Sequence, residues 1–112
     1  MAVYTSNLTI NTGTTFSQVF TLENAATDSA TDLTGFTANA QMRKHADAIT
    51  FTNFTTQIIN ATGGVIRVGL STSQTAALKP GRHVYDVLIT DTSGEVTRVL
   101  EGSVLVRQGA TR

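Results

Sequence analysis

The chain has no cysteine, no tryptophan and a single proline, and only 14% of its 112 residues are charged. Without cysteine there can be no disulfide framework, no thiol nucleophile and no cysteine-based zinc or iron–sulfur site. Eight Lys/Arg residues are matched by eight Asp/Glu, so the formal net charge is zero. This removes the basic footprint with which proteins hold nucleic acid or anionic membrane, and neither is expected as a partner. No apolar run approaches the ~20 residues that cross a bilayer. Residues 1–10 lack the basic start and apolar stretch of a secretory signal. The length suits one domain over residues 1–112, since a second core would have too few residues.

What the chain does have is threonine, 21 of 112 residues, within a dominant period-two alternation of Thr, Val, Ile and Phe. Leu8 and Ile10 alternate with Thr9, and Asn11-Thr12-Gly13-Thr14 reads as a turn. Residues 15–22 read as a strand with Phe16, Phe20 and Leu22 on one face and Ser17, Val19 and Thr21 on the other. Residues 23–34 are polar and aperiodic, a loop carrying Leu33 as an apolar plug. A clean strand covers residues 36–43, with Phe36, Ala38, Ala40 and Met42 sharing a face. After a turn at 44–48, the less regular set Ile49, Phe51, Phe54, Ile58 and Ile59 predicts two short strand pieces or one bulged strand. Residues 60–64 are a turn and 65–70 a strand.

One helical turn is expected near residues 72–78. Ser71 can cap the amide of Gln74 while Gln74 reaches back, Pro80-Gly81 ends the turn, and Leu78 is the expected anchor. In the strand over 82–90, His83, Tyr85, Val87 and Ile89 share a face. Asp91-Thr92-Ser93-Gly94 signals a hairpin. Strands over 95–100 and 103–106 follow, with Gly102 placed where a bulge or close packing is expected. Residues 1–6 and 108–112 read as terminal arms. The whole is an all-β, antiparallel sandwich of about seven or eight strands, with threonine on outward positions.

Candidate chemistry is sparse. His45 and His83 are the only imidazoles and share no metal-ligand spacing, so His83 reads as a half-buried strand residue and His45 as an exposed turn residue. No serine lies in a nucleophile motif. Asp86, Asp91, Glu95 and Glu101 read as cross-strand partners for Arg82, Arg98 and Arg107. Gly63-Gly64 lacks the Lys-Ser/Thr of a phosphate loop, and the 91–95 segment has too few carboxylates for a calcium loop. The expectation is therefore no enzyme: no catalytic residues, no metal and no cofactor.

The order of segments is more telling. Asp32-Leu33-Thr34-Gly35-Phe36-Thr37 leads into Ala40-Gln41-Met42-Arg43-Lys44. Thr75-Ala76-Ala77-Leu78-Lys79-Pro80-Gly81-Arg82-His83-Val84-Tyr85-Asp86 follows, and then Gly94-Glu95-Val96-Thr97-Arg98-Val99-Leu100-Glu101-Gly102. From about Thr9 to Val106 this resembles the small immunoglobulin-like virion structural proteins of tailed bacteriophages. More distantly it is similar to the N-terminal domain of phage baseplate upper proteins.

The resemblance implies an immunoglobulin-like β-sandwich with a structural task in the virion. It would be a multi-copy head decoration or cement protein, or a neck or tail accessory. Its partners would be other virion proteins (major capsid, neck or tail) and its own copies in a homo-oligomer. A baseplate component, or a host-surface or carbohydrate-binding adhesion module, is the alternative. The chain is read as a stand-alone domain without the stalk or receptor-binding extension of a full baseplate upper protein, which favours head, neck or tail. In this frame Gly35 and Gly81 open strands after turns, Tyr85 buries its ring with its hydroxyl on a backbone partner, and Arg43 pairs with Asp86. No interface residues are singled out; the two arms are the candidates for contact.

Overall fold

A computed structural model of the chain describes residues 4–24, 29–30, 32–45 and 47–109. The elements in chain order are β1 (Tyr4–Thr5), β2 (Leu8–Asn11), β3 (Phe16–Thr21), β4 (Glu23–Asn24), β5 (Ser29–Ala30), β6 (Thr37–Arg43), β7 (Thr52–Asn53), β8 (Thr55–Asn60), β9 (Val65–Leu70), α1 (Thr72–Ala76), β10 (Gly81–Thr90) and β11 (Val96–Arg107). Seven of these strands have four or more residues, in line with the expected number. The larger sheet runs β1-β11-β10-β6-β7, with β2 also on β11, and the smaller runs β3-β9-β8. The fold is an all-β sandwich.

Alternation along the strands builds its core. Tyr85, Val87 and Ile89 of β10 are buried while their neighbours face outward, and Ile66, Val68 and Leu70 do the same on β9. Leu33, the expected plug, is 1% exposed and is pinned by its N–H donating to the Ala61 carbonyl at 2.7 Å. The irregular 49–59 stretch has a clear cause. The chain crosses between sheets at buried Phe54, whose N–H donates to the Ala40 carbonyl at 2.9 Å. Thus β7 pairs with β6 in one sheet and β8 with β9 in the other, and β8 carries a bulge at Ile59. Both expected forms, two pieces and a bulge, occur together.

Several expectations are corrected. The larger sheet is mixed, because β1 and β2 both run parallel to β11; alternation reveals a strand but not the direction of its partner. The 23–34 segment contains a small antiparallel pair, β4 with β5. The first arm is not wholly outside the sandwich, since Tyr4 and Thr5 lie in register with Leu100 and Glu101. Residues 1–3 and 110–112 lie outside the described residues. The β11 bulge sits at Val99, not Gly102: Val87 faces Leu100 and Leu88 faces Arg98, so Val99 is the extra residue.

Gly102 serves the other expected purpose, close packing. A Cβ there would collide with the Ser6 carbonyl. That same carbonyl accepts the Tyr85 hydroxyl at 2.6 Å, as the resemblance implied, and the Ser6 N–H donates to Glu101 O at 3.0 Å. Asn7 completes the clamp, its Oδ1 accepting from both the N–H and the hydroxyl of Ser103 at 3.1 Å.

Candidate interaction surface

The charged and polar groups are used locally. Asp86 pairs with Arg98 at 3.2 Å, in line with the cross-strand reading. The β11 bulge makes this contact possible by leaving Arg98 and Glu101 both outside while Val99 and Leu100 are both buried. The expected Arg43–Asp86 pair does not form. The Arg43 guanidinium donates to Ala48 O at 2.7 Å and Gln41 Oε1 at 3.1 Å, and it lies 4.6 Å over the Phe51 ring. The strand register explains this, placing Gln41 opposite Asp86 and Arg43 opposite Val84.

Asp91 organises the hairpin, its Oδ1 accepting from Ser93 N, Ser93 Oγ and Glu95 N at 2.8–2.9 Å. These donors, the Ser93 hydroxyl first, hold its carboxyl below the usual aspartate range. The Thr34 hydroxyl and N–H do the same for Asp32. His45 is exposed, and half-buried His83 places Nε2 3.0 Å from the Lys79 carbonyl. Among the described residues no three His, Asp or Glu side chains gather as a metal site.

Two open depressions indent the larger sheet. One, of about 480 Å³, is floored by Gln41, Arg43, Asp86, Arg98 and Glu101. The other, of about 460 Å³, lies where β6 and β7 meet the end of α1 and is lined by Lys44, Phe51, Lys79 and His83. Phe51, 48% exposed, is the one exposed Phe or Tyr ring among the side chains described. A sugar-stacking platform needs open ring faces, and Arg43 lies over one face of this ring.

The zero net charge conceals a separation along the strands. Arg82 is the second residue of β10, Lys79 precedes the strand, Val106 beside Arg107 faces Gly81, and Arg43 with Lys44 closes the neighbouring strand, so cations gather at this end with Asp47. At the other end Asp91 follows β10, Glu95 precedes β11, and Asp32 sits in the turn that leads to β6. Ten residues of strand hold these ends apart by roughly 30 Å, beyond a ~8 Å physiological screening length. Single-residue reading missed this, though charge position along predicted strands carries the signal.

The open side of the smaller sheet is β3. All six of its residues are exposed or half-buried, and among the described residues its one strand partner is β9. At the opposite edge β8 is tied to β6 at its start, by the Phe54 N–H on the Ala40 carbonyl and by the Thr56 hydroxyl on the Ala38 carbonyl at 2.8 Å.

No protein-family model matches the chain, and no curated protein matches it in sequence. Among solved structures, the N-terminal domain of phage TP901-1 ORF48 superimposes with a TM-score of 0.55 at 13% identity, covering 91% of this chain and 85% of that one. An internalin-like protein of Listeria monocytogenes, lmo2027, gives a TM-score of 0.46 at 14% identity, over 96% of this chain and 28% of that one. The chain thus shares the fold of a domain of a phage protein.

Proposed function

We propose that the protein is a non-enzymatic, multi-copy structural component of a phage virion, binding other virion proteins and its own copies. Head decoration or a neck or tail accessory is the preferred position. The observation that supports it is the near end-to-end likeness to a phage protein's N-terminal domain, together with the segment order that resembles phage virion proteins. The surface agrees in character. It is rich in threonine and poor in charge, so little charge need be desolvated when neighbours pack against it. Its oppositely charged ends would orient the module in a repeating array.

Adhesion to a host glycan is the competing reading, and the Arg43 guanidinium on one face of Phe51 weighs against it. Peptide mass spectrometry of gradient-purified particles tests the proposal. The chain is expected to co-purify with particles, and its presence in the lysate but not in particles would contradict the assignment. Specific binding on a glycan array would favour adhesion instead.

A further inference from the structure

Strand β3 ends the smaller sheet, and its backbone shows which groups are unused. The Leu22 N–H donates to Gly64 O at 2.8 Å, one step beyond the Thr21–Val65 pair. Bonded positions alternate along an antiparallel ladder, so Phe16, Gln18 and Phe20 direct their N–H and C=O toward β9. Ser17, Val19 and Thr21 direct theirs to the free edge. Among the described residues one side-chain contact touches that edge, the exposed Gln18 Nε2 at 3.4 Å from Val19 O, which is long for a hydrogen bond.

Natural sheets protect such edges with charge, proline, bulges or short strands. This strand has none of them: Phe-Ser-Gln-Val-Phe-Thr is six residues, uncharged, proline-free and in unbroken register with β9. Among the described residues the other six-residue edge, β8, carries a bulge at Ile59 and has its Thr56 hydroxyl on β6, while β2 has four residues and β7 two.

We propose that two copies of this chain pair their β3 strands antiparallel about a twofold axis at Gln18. The sequence argues for a second copy because it is nearly symmetric about that point, with Phe two positions to either side. A twofold there sets Ser17 opposite the Val19 of the other copy, and these exchange both backbone bonds, twice over. It sets Phe16 opposite the other copy's Phe20 in the closer, non-bonded pairs, where aromatic side chains contribute most. Gln18 meets its own amide on the axis, and the uncharged edges carry no repulsion. The pairing parity is self-consistent: the residues that bond across the axis are those not already bonded to β9. A six-residue ladder buries less than the ~1,200 Å² of a standard interface, so pairing is reversible in dilute solution and reinforced where many copies share a particle. This inference rests on the edge alone and does not need the virion assignment.

Sedimentation velocity from micromolar to millimolar concentration tests it. The wild-type chain is expected to shift from monomer to dimer across that range. Val19→Lys and Val19→Pro change the free edge without removing a bond to β9, and both are expected to stay monomeric with wild-type circular dichroism. Val19→Lys alone suffices if the proline variant does not fold. Because the chain has no cysteine, single thiols report the register. Gln18→Cys is expected to form a disulfide dimer under mild oxidation far faster than Ser17→Cys or Val19→Cys. A wild-type chain that stays monomeric throughout would overturn the proposal and leave the edge to a different protein's strand. Unchanged dimerisation of Val19→Lys would overturn it as well. Fastest crosslinking through Val19→Cys would overturn the Gln18 axis.

Discussion

At the residue scale, the Ser6 carbonyl joins three parts of the chain, held by the Tyr85 hydroxyl and approached by Gly102. Gly102→Ala must push that carbonyl away, because the clash is with backbone. We expect a loss of about 1–3 kcal/mol, read as a lower urea midpoint at unchanged slope. Tyr85→Phe removes the hydroxyl and should cost about 1 kcal/mol. The two losses should add to less than their sum, since both act on Ser6. Burial pushes the Tyr85 hydroxyl above its ordinary value, outweighing the Ser6 bond. The unfolded chain therefore releases this proton first, and stability should fall as pH rises above ~10. Tyr85→Phe should remove that part of the fall in thermal melts at alkaline pH. The sequence pointed to the tyrosine and the glycine separately. It did not join them, because Ser6 reaches them through a parallel pairing that no local pattern encodes.

At the element scale, α1 shows what sequence reads well and what it reads poorly. The capping box is present as expected, Gln74 N–H donating to Ser71 Oγ at 3.2 Å and Ser71 N–H to Gln74 Oε1 at 2.8 Å. Caps are local, so a few residues suffice to reveal them. The anchor is not local. Leu78 is half-buried against the core, but Thr75 is fully buried, its hydroxyl donating to Thr14 O at 2.7 Å across 61 residues. Thr75→Val keeps the shape and leaves that carbonyl unpaired. We expect a cost of about 1–2 kcal/mol and faster hydrogen exchange in α1. The β10–β11 hairpin turn makes a second case. Asp91 is held below its ordinary value in the folded chain, so its contribution is full above pH ~4 and is lost as pH falls through the folded value. In Asp91→Ala, acid melts should lose that part of the decline. Strand existence, turns and the Phe54 crossing region were legible from alternation and punctuation. Strand direction and the Val99 bulge were not, because each depends on register between distant segments; the cross-strand pairing of Asp86 was legible, and register decides that Arg98 is its partner.

At the scale of the whole molecule, the chain is a neutral sandwich, several of whose described polar groups are tied up in turns, a helix cap and a cross-strand pair. What it leaves for recognition is a pair of oppositely charged ends and one unguarded strand edge. Neutrality reads as uninformative in composition, and becomes a separation of charge once the strands give it direction. On the proposed reading such a module works in number, arrayed among copies and neighbours. The central claim is thus multi-copy incorporation, and absolute copy number tests it most directly. Quantitative peptide mass spectrometry of gradient-purified particles, with isotope-labelled standards for this chain and the major capsid protein, gives that number. Many copies per particle are expected, in the hundreds for head decoration or in multiples of six or twelve for a neck or tail position. A chain absent from particles, or present at less than one copy each, would contradict it.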